Sequence, residues 1–169
     1  MTRVTDIVLQ DLRWEPVSLA DLSERAVLNV LEFMEFPTEG YEVSILGCDD
    51  DRISELNAEF RGKPVATNVL SWPAHDLSAA EDGAEPSTPP APDPLMGESL
   101  GDIAIAYDTC LRESGAAGKS FDDHVTHLIV HAMLHLLGYD HVRDHDATLM
   151  EGLETEILGK MGVADPYRE

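Results

Sequence analysis

Basic residues are scarce in this 169-residue chain: 11 Lys+Arg stand against 33 Asp+Glu, a net charge of -22. That balance argues against a protein that coats nucleic acid or anionic membrane non-specifically, and reads first as a soluble, self-repelling surface. It leaves room for a local basic groove. Long apolar runs are missing too. Without about 18 consecutive apolar residues no membrane-spanning helix is expected. The opening residues, MTRVTDIVLQDLRWEP, carry acids where a secretory signal needs an unbroken apolar core, so a cytoplasmic location is expected. Of the two cysteines, Cys48 and Cys110 lie far apart and form no ligand pair. Buried free thiols in a reducing compartment are expected rather than a disulfide.

What is present fits one domain, residues 1–169, with a real core: 43% hydrophobic and 26% charged. VTDIVLQ predicts a strand over 4–10. A helix is expected over about 19–36, with Leu19, Leu22, Ala26, Val30 and Met34 as its apolar stripe and Ser18 with Asp21 as a capping box. Alternation in YEVSILGC predicts a strand over 41–48. A short helix over 51–61 carries Ile53, Leu56 and Phe60, and short strands are expected over 68–72 and 100–106. Between them, residues 74–99 hold five prolines and neither Lys nor Arg, so a mobile surface loop is expected inside the domain. Three helices close the chain, near 107–115, from Phe121 with Ser120 as N-cap, and over about 146–161. The fold class is α+β: one mixed, mostly parallel four-stranded sheet packed with about five helices.

Six of seven histidines fall between 124 and 145, and the segment HAMLHLLGYDH (131–141) concentrates the chemistry. His131 and His135, four apart, share one helix face, the arrangement of a helical metal clamp. His127 lies on the same stripe. It stands about 12 Å of helix rise from His135, while two ligands of one zinc stay within about 4 Å of each other, so one ion cannot hold all three. Gly138 is placed to end the helix in a left-handed conformation and to fold His141 back onto the pair. Three histidines with an open position form a catalytic rather than a structural metal pattern. His124, His127 and His145 are read as non-ligands.

The spacing of His131, His135, Gly138 and His141 matches the metzincin peptidases, H-E-x-x-H-x-x-G-x-x-H. Their general base, the glutamate after the first histidine, is Ala132 here, which can neither take nor give a proton. A metal-dependent hydrolase other than a standard peptidase follows from the residues.

HAMLHLLGYDH also resembles the H-G-x-L-H-L-x-G-Y-D-H signature of the YbeY family of bacterial rRNA maturation factors. LNAEFRGKPVATNVLSWP (56–73) and LGDIAIA (100–106) are similar to two further stretches of that family, in the same order. The departures are Ala132 for a motif glycine, Asn68 for the usual aspartate, and Trp72 and Phe60 for other aromatics. The resemblance implies a zincin-like domain and one zinc ion held by His131, His135 and His141. It implies a single-strand-specific endoribonuclease acting in 3′-end maturation of small-subunit (16S) rRNA and in ribosome quality control. Single-stranded rRNA, the small ribosomal subunit with its basic proteins, and an Era-type GTPase are the partners it implies, with no membrane. Arg61 comes with it as a catalytic residue; from residues alone, a helix-end arginine capping carbonyls is the plainer reading. Lys63, Thr67, Ser71 and Asp140 are candidates for substrate contact or for orienting a ligand. Each has an ordinary structural explanation beside it. Two other functions stay open: an assembly factor whose zinc only stabilises the fold, and a metal-dependent hydrolase of a different substrate.

Overall fold

Alternation between buried and exposed side chains sets the sheet. The computed structural model describes residues 3–167, and four strands pair within it: β1 (Thr5–Leu9), β2 (Tyr41–Cys48), β3 (Val69–Pro73) and β4 (Glu98–Ala106), in the order β1-β2-β4-β3. The first two pairings are parallel and β3 runs antiparallel to β4 at the edge. The sheet is therefore mixed and mostly parallel, as expected. Tyr41, Val43 and Ile45 of β2 are buried toward the helices, while Glu42, Ser44 and Leu46 turn to the opposite face.

Five α-helices complete the described residues: α1 (Leu19–Phe33), α2 (Asp50–Arg61), α3 (Tyr107–Ala117), α4 (Phe121–Leu136) and α5 (Asp144–Lys160). A 3-10 turn at Leu12–Trp14, not foreseen, buries Trp14 completely, and the indole N–H donates to the Cys48 carbonyl. Helix α4 is buried along most of its length, through Val125, Ile129, Val130, Met133 and Leu134 among others. It packs against α1, α3, α5 and β3, which fixes the position of any side chain at its end. Ser120 caps it as expected, its hydroxyl accepting from the Asp123 N–H.

Helix α1 differs from the sequence reading at both ends. Ser18 is in a left-handed conformation (φ 59°) and its side chain makes no capping bond, so there is no capping box. The helix stops at Phe33 rather than Phe36. Glu35 takes φ 61° and the Phe36 N–H returns to the Leu31 carbonyl, a C-terminal closure that turns the chain before Pro37. Cys48 and Cys110 are buried free thiols, and burial pushes Cys48 up to about 12.

The proline-rich segment, expected as a mobile loop, has almost no regular structure of its own, and its backbone is held at several points. The Arg143 guanidinium donates to the carbonyls of Ala79 and Ala80, the Gly83 N–H donates to Asp146, and Asp82 accepts from the Asp146 N–H. Tyr41 donates to the Pro90 carbonyl at the other end. Leu77 is buried against the turn that follows α4. The segment is a strap lying beside the histidines.

Candidate metal centre

His131 and His135 occupy successive turns of α4, and the helix ends one residue after His135. Gly138 takes φ 100°, its N–H donates to the His135 carbonyl, and the Tyr139 N–H reaches back to the Leu134 carbonyl. This double closure is a Schellman motif. A second constraint acts on the same residue: a Cβ here would lie 2.7 Å from the Leu77 carbonyl oxygen of the strap. Only glycine satisfies both. The chain then returns His141, with ring centroids 5.2 Å from His131 and 5.0 Å from His135.

One ring nitrogen from each of the three histidines lies within 4.8 Å of the other two. Their protonation follows from their partners. His131 Nδ1 lies 2.5 Å from Glu154 Oε1, and His135 Nδ1 lies 3.0 Å from the Tyr139 carbonyl oxygen. A carboxylate and a carbonyl only accept, so both Nδ1 atoms carry a proton, and in the neutral, ligating form both Nε2 atoms keep a lone pair. Those two Nε2 atoms face each other at 3.1 Å. Two acceptors at that distance repel unless a proton or a metal ion lies between them; a tetrahedral zinc would hold its nitrogens about 3.3 Å apart. The donor set therefore fits a divalent cation held by His131, His135 and His141. Burial, with His131 and His141 beside it, pushes His135 down to about 4, which favours the neutral, ligating form.

Glu154 of α5 was missed by sequence reasoning. Its side chain is fully buried, and it also accepts from His127 Nε2 at 3.1 Å and from the Tyr167 hydroxyl. Burial alone would raise its carboxyl; the bonds from His127 and His131 outweigh burial and hold it at about 2. Its one sequence signal is a carboxylate in a core stripe, between Met150 and Ile157. His127, His131 and Glu154 form a second set with ligand-like spacing. The same atoms are accounted for as hydrogen bonds that orient His131. His124 and His145 have carboxylate partners elsewhere, Glu113 and Asp82.

A cavity of about 520 Å³ opens beside the histidines, walled by His135, His141, Arg61, Ser71, Asp140 and His75, with the start of the strap completing it. Arg61 is the last residue of α2, exposed, with no ion pair among the described residues. Of the remaining candidates, Ser71 and Asp140 reach the cavity wall, whereas Lys63 and Thr67 do not. Asp140 accepts from the His141 backbone N–H at 2.7 Å and so caps the turn. The rings of His131 and His135 are oriented by Glu154 and by the Tyr139 carbonyl instead. Ala132 is buried in the core.

The chain is similar to known proteins over nearly its whole length. The family model described as endoribonuclease YbeY matches residues 10–162. Proteins of that name from Ruegeria pomeroyi and Paracoccus denitrificans are 60% and 57% identical, over 96% and 97% of this chain and 96% and 90% of theirs. A relative from Rhizobium johnstonii is 45% identical over 95% of this chain and 91% of its own. A solution structure from Thermotoga maritima shares the fold, with a TM-score of 0.53 and 18% identity over 98% of this chain and 99% of that one. On this evidence the chain belongs to the endoribonuclease YbeY family.

Proposed function

We propose that this chain is a single-strand-specific, zinc-dependent endoribonuclease that works in the cytoplasm as one domain. In this reading it acts in 3′-end maturation of small-subunit (16S) rRNA and in ribosome quality control. Its partners there are the small ribosomal subunit with its basic proteins and an Era-type GTPase. The observation that carries the reading is the convergence of His131, His135 and His141, with two Nε2 atoms facing at 3.1 Å, in a family named for RNA cleavage.

A zinc ion there would supply Lewis-acid polarisation of a phosphoryl oxygen and of water. The chain's own residues supply the rest. His131, His135 and His141 hold the ion, Glu154 fixes the His131 ring, and Arg61 offers a planar pair of donors to phosphate oxygens as charge develops on them. Ser71 lies where a hydroxyl can meet a ribose or phosphate oxygen. Ala132 supplies no base, which weighs against peptide hydrolysis.

Purified, metal-loaded protein should cleave single-stranded RNA and spare duplex. His131→Ala should remove both bound metal and activity. Arg61→Ala should keep the metal and lose about 10²–10³ in rate, the size expected for one electrostatic contact to the transition state. Cleavage that survives His131→Ala would trace to a contaminant and sink the proposal. The acidic body, with a net charge of -22, favours a second reading in which the protein acts by docking on basic ribosomal proteins. Normal rRNA ends in cells carrying only a folded His131→Ala protein would favour that one.

A further inference from the structure

A group that takes a proton from the attacking water speeds phosphodiester hydrolysis, beyond what a metal gains by polarising that water. The helix position that holds this group in the metzincin spacing is Ala132 here, buried in the core. A base in this protein has to sit on another part of the cavity wall.

Most acceptors on that wall are committed. His135 and His141 turn toward the metal position. Asp140 accepts from the His141 N–H through Oδ1, and its other oxygen stands exposed on the turn with no side chain among the described residues to orient it. Asp76 accepts from both the N–H and the hydroxyl of Ser78, and these bonds hold its carboxyl below the usual range, a poor base. Burial, with Glu85 nearby, pushes the Tyr139 phenol up, so it keeps its proton. Arg61 is a cation.

His75 is left. It lies on the same wall, just past β3. The Ala74 N–H donates to the Leu100 carbonyl, which carries the β3–β4 pairing one residue beyond Pro73. Gly101, the partner of Pro73, packs so close to Leu136 that a Cβ would stand 2.9 Å from Leu136 Cδ2. Residue 75 is thereby set beside the end of α4, where His135 is. A carboxylate holds the His75 ring: Nε2 lies 2.6 Å from Glu98 Oε1. The carboxylate accepts, so Nε2 carries the proton and Nδ1 keeps a lone pair. About a third of the side chain (34%) remains open to solvent.

We infer that His75, held by Glu98, is the general base of the RNA cleavage proposed above, on which this inference rests. As the water oxygen bonds to phosphorus, the water O–H bond breaks and the proton goes to His75 Nδ1. The bond from phosphorus to the leaving ribose oxygen breaks with its electron pair, and that oxygen takes a proton from solvent. His75 returns its own proton to solvent. One water is consumed for each ester opened, and no electrons change hands. Glu98 acts through His75 as a positioning residue.

The test compares wild type, His75→Ala, His75→Gln and Glu98→Gln on one single-stranded RNA, with bound zinc measured in each. Both His75 variants should keep their zinc and their KM, lose about 10²–10⁴ in kcat, and lose the acid limb of the pH–rate profile. Added imidazole should restore part of the activity of His75→Ala, and of no variant at His131. Glu98→Gln should lower kcat less and shift that limb. If wild type cleaves, His131→Ala does not, and His75→Ala stays within about twofold of wild type, this inference falls and the nuclease reading stands. A loss at His75 that follows lost zinc, or that imidazole leaves untouched, also overturns it. Wild-type protein that leaves RNA intact overturns the nuclease reading, and this inference with it.

Discussion

Glu154 stands directly behind His131, its Oε1 2.5 Å from His131 Nδ1, with no part of its side chain exposed. A buried carboxylate on the far nitrogen of a metal ligand fixes the tautomer and strengthens the ligand, and removing it commonly lowers metal affinity 10–100-fold. Glu154→Gln should therefore weaken zinc binding by that range, measured by competition with a chelator. Glu154→Ala also strands His127 and His131 and should destabilise the fold by about 1–3 kcal/mol. Affinity unchanged in a folded Glu154→Gln protein would mean that the contact does not act through the metal site.

Gly138 meets two independent demands, a positive φ of 100° and the strap carbonyl of Leu77 2.7 Å from any Cβ. Gly138→Ala should cost about 1–3 kcal/mol, the range for a strained backbone position. It should also loosen zinc, because the turn that places His141 must shift. Thermal unfolding with and without zinc separates the two effects, and the zinc-bound form should lose more. A variant that unfolds and binds zinc like wild type would show that the strap yields instead.

Much of this was legible in the sequence because the signals are local. Every strand and α-helix has its counterpart in the sequence reading, and the meeting of His131, His135 and His141 follows from their spacing with Gly138 along one helix end. Contacts that join distant parts of the chain were not legible. Glu154 lies 23 residues beyond His131 and is singled out only by its burial. His75 reads as a lone histidine in a proline-rich segment until strand pairing brings it to the cavity. The strap itself was read from composition as unable to order, because composition does not register backbone bonds to Arg143 and Asp146. The false capping box at Ser18 arose from residue identity without the backbone angle that capping needs.

Asn68, where the family resemblance leads one to expect an aspartate, donates from Nδ2 to Glu113 Oε1 at 3.0 Å, and His124 Nε2 lies 2.9 Å from the same oxygen. An aspartate here would set two carboxylates against each other. Asn68→Asp should destabilise the protein by about 1 kcal/mol or less at neutral pH, since Glu113 is partly exposed and screened. That corresponds to a fall in Tm of about 2–4 °C. The deficit should shrink in acid, as the carboxylates protonate. An unchanged Tm at neutral pH would show that the new carboxylate turns away from Glu113.

Stability of the metal-free protein should fall with pH in two stages. His135 takes a proton near 6.5 when unfolded and only near 4 when folded. Between those values the unfolded chain binds more protons, so this contribution is complete above 6.5 and is lost as pH falls toward 4. Glu154 has a folded value of about 2 against an ordinary 4.5. Its contribution is present above 4.5 and is lost as pH falls toward 2. The upper stage belongs to His135 and amounts to at most about 3 kcal/mol. A zinc ion held by these nitrogens would compete with protons for them, so metal should be released across that upper window as well. Unfolding of metal-free wild type and His135→Gln, followed from about pH 7 to about pH 5, isolates it: wild type should weaken while the variant stays nearly level. Parallel curves for the two proteins would assign the acid sensitivity to another group.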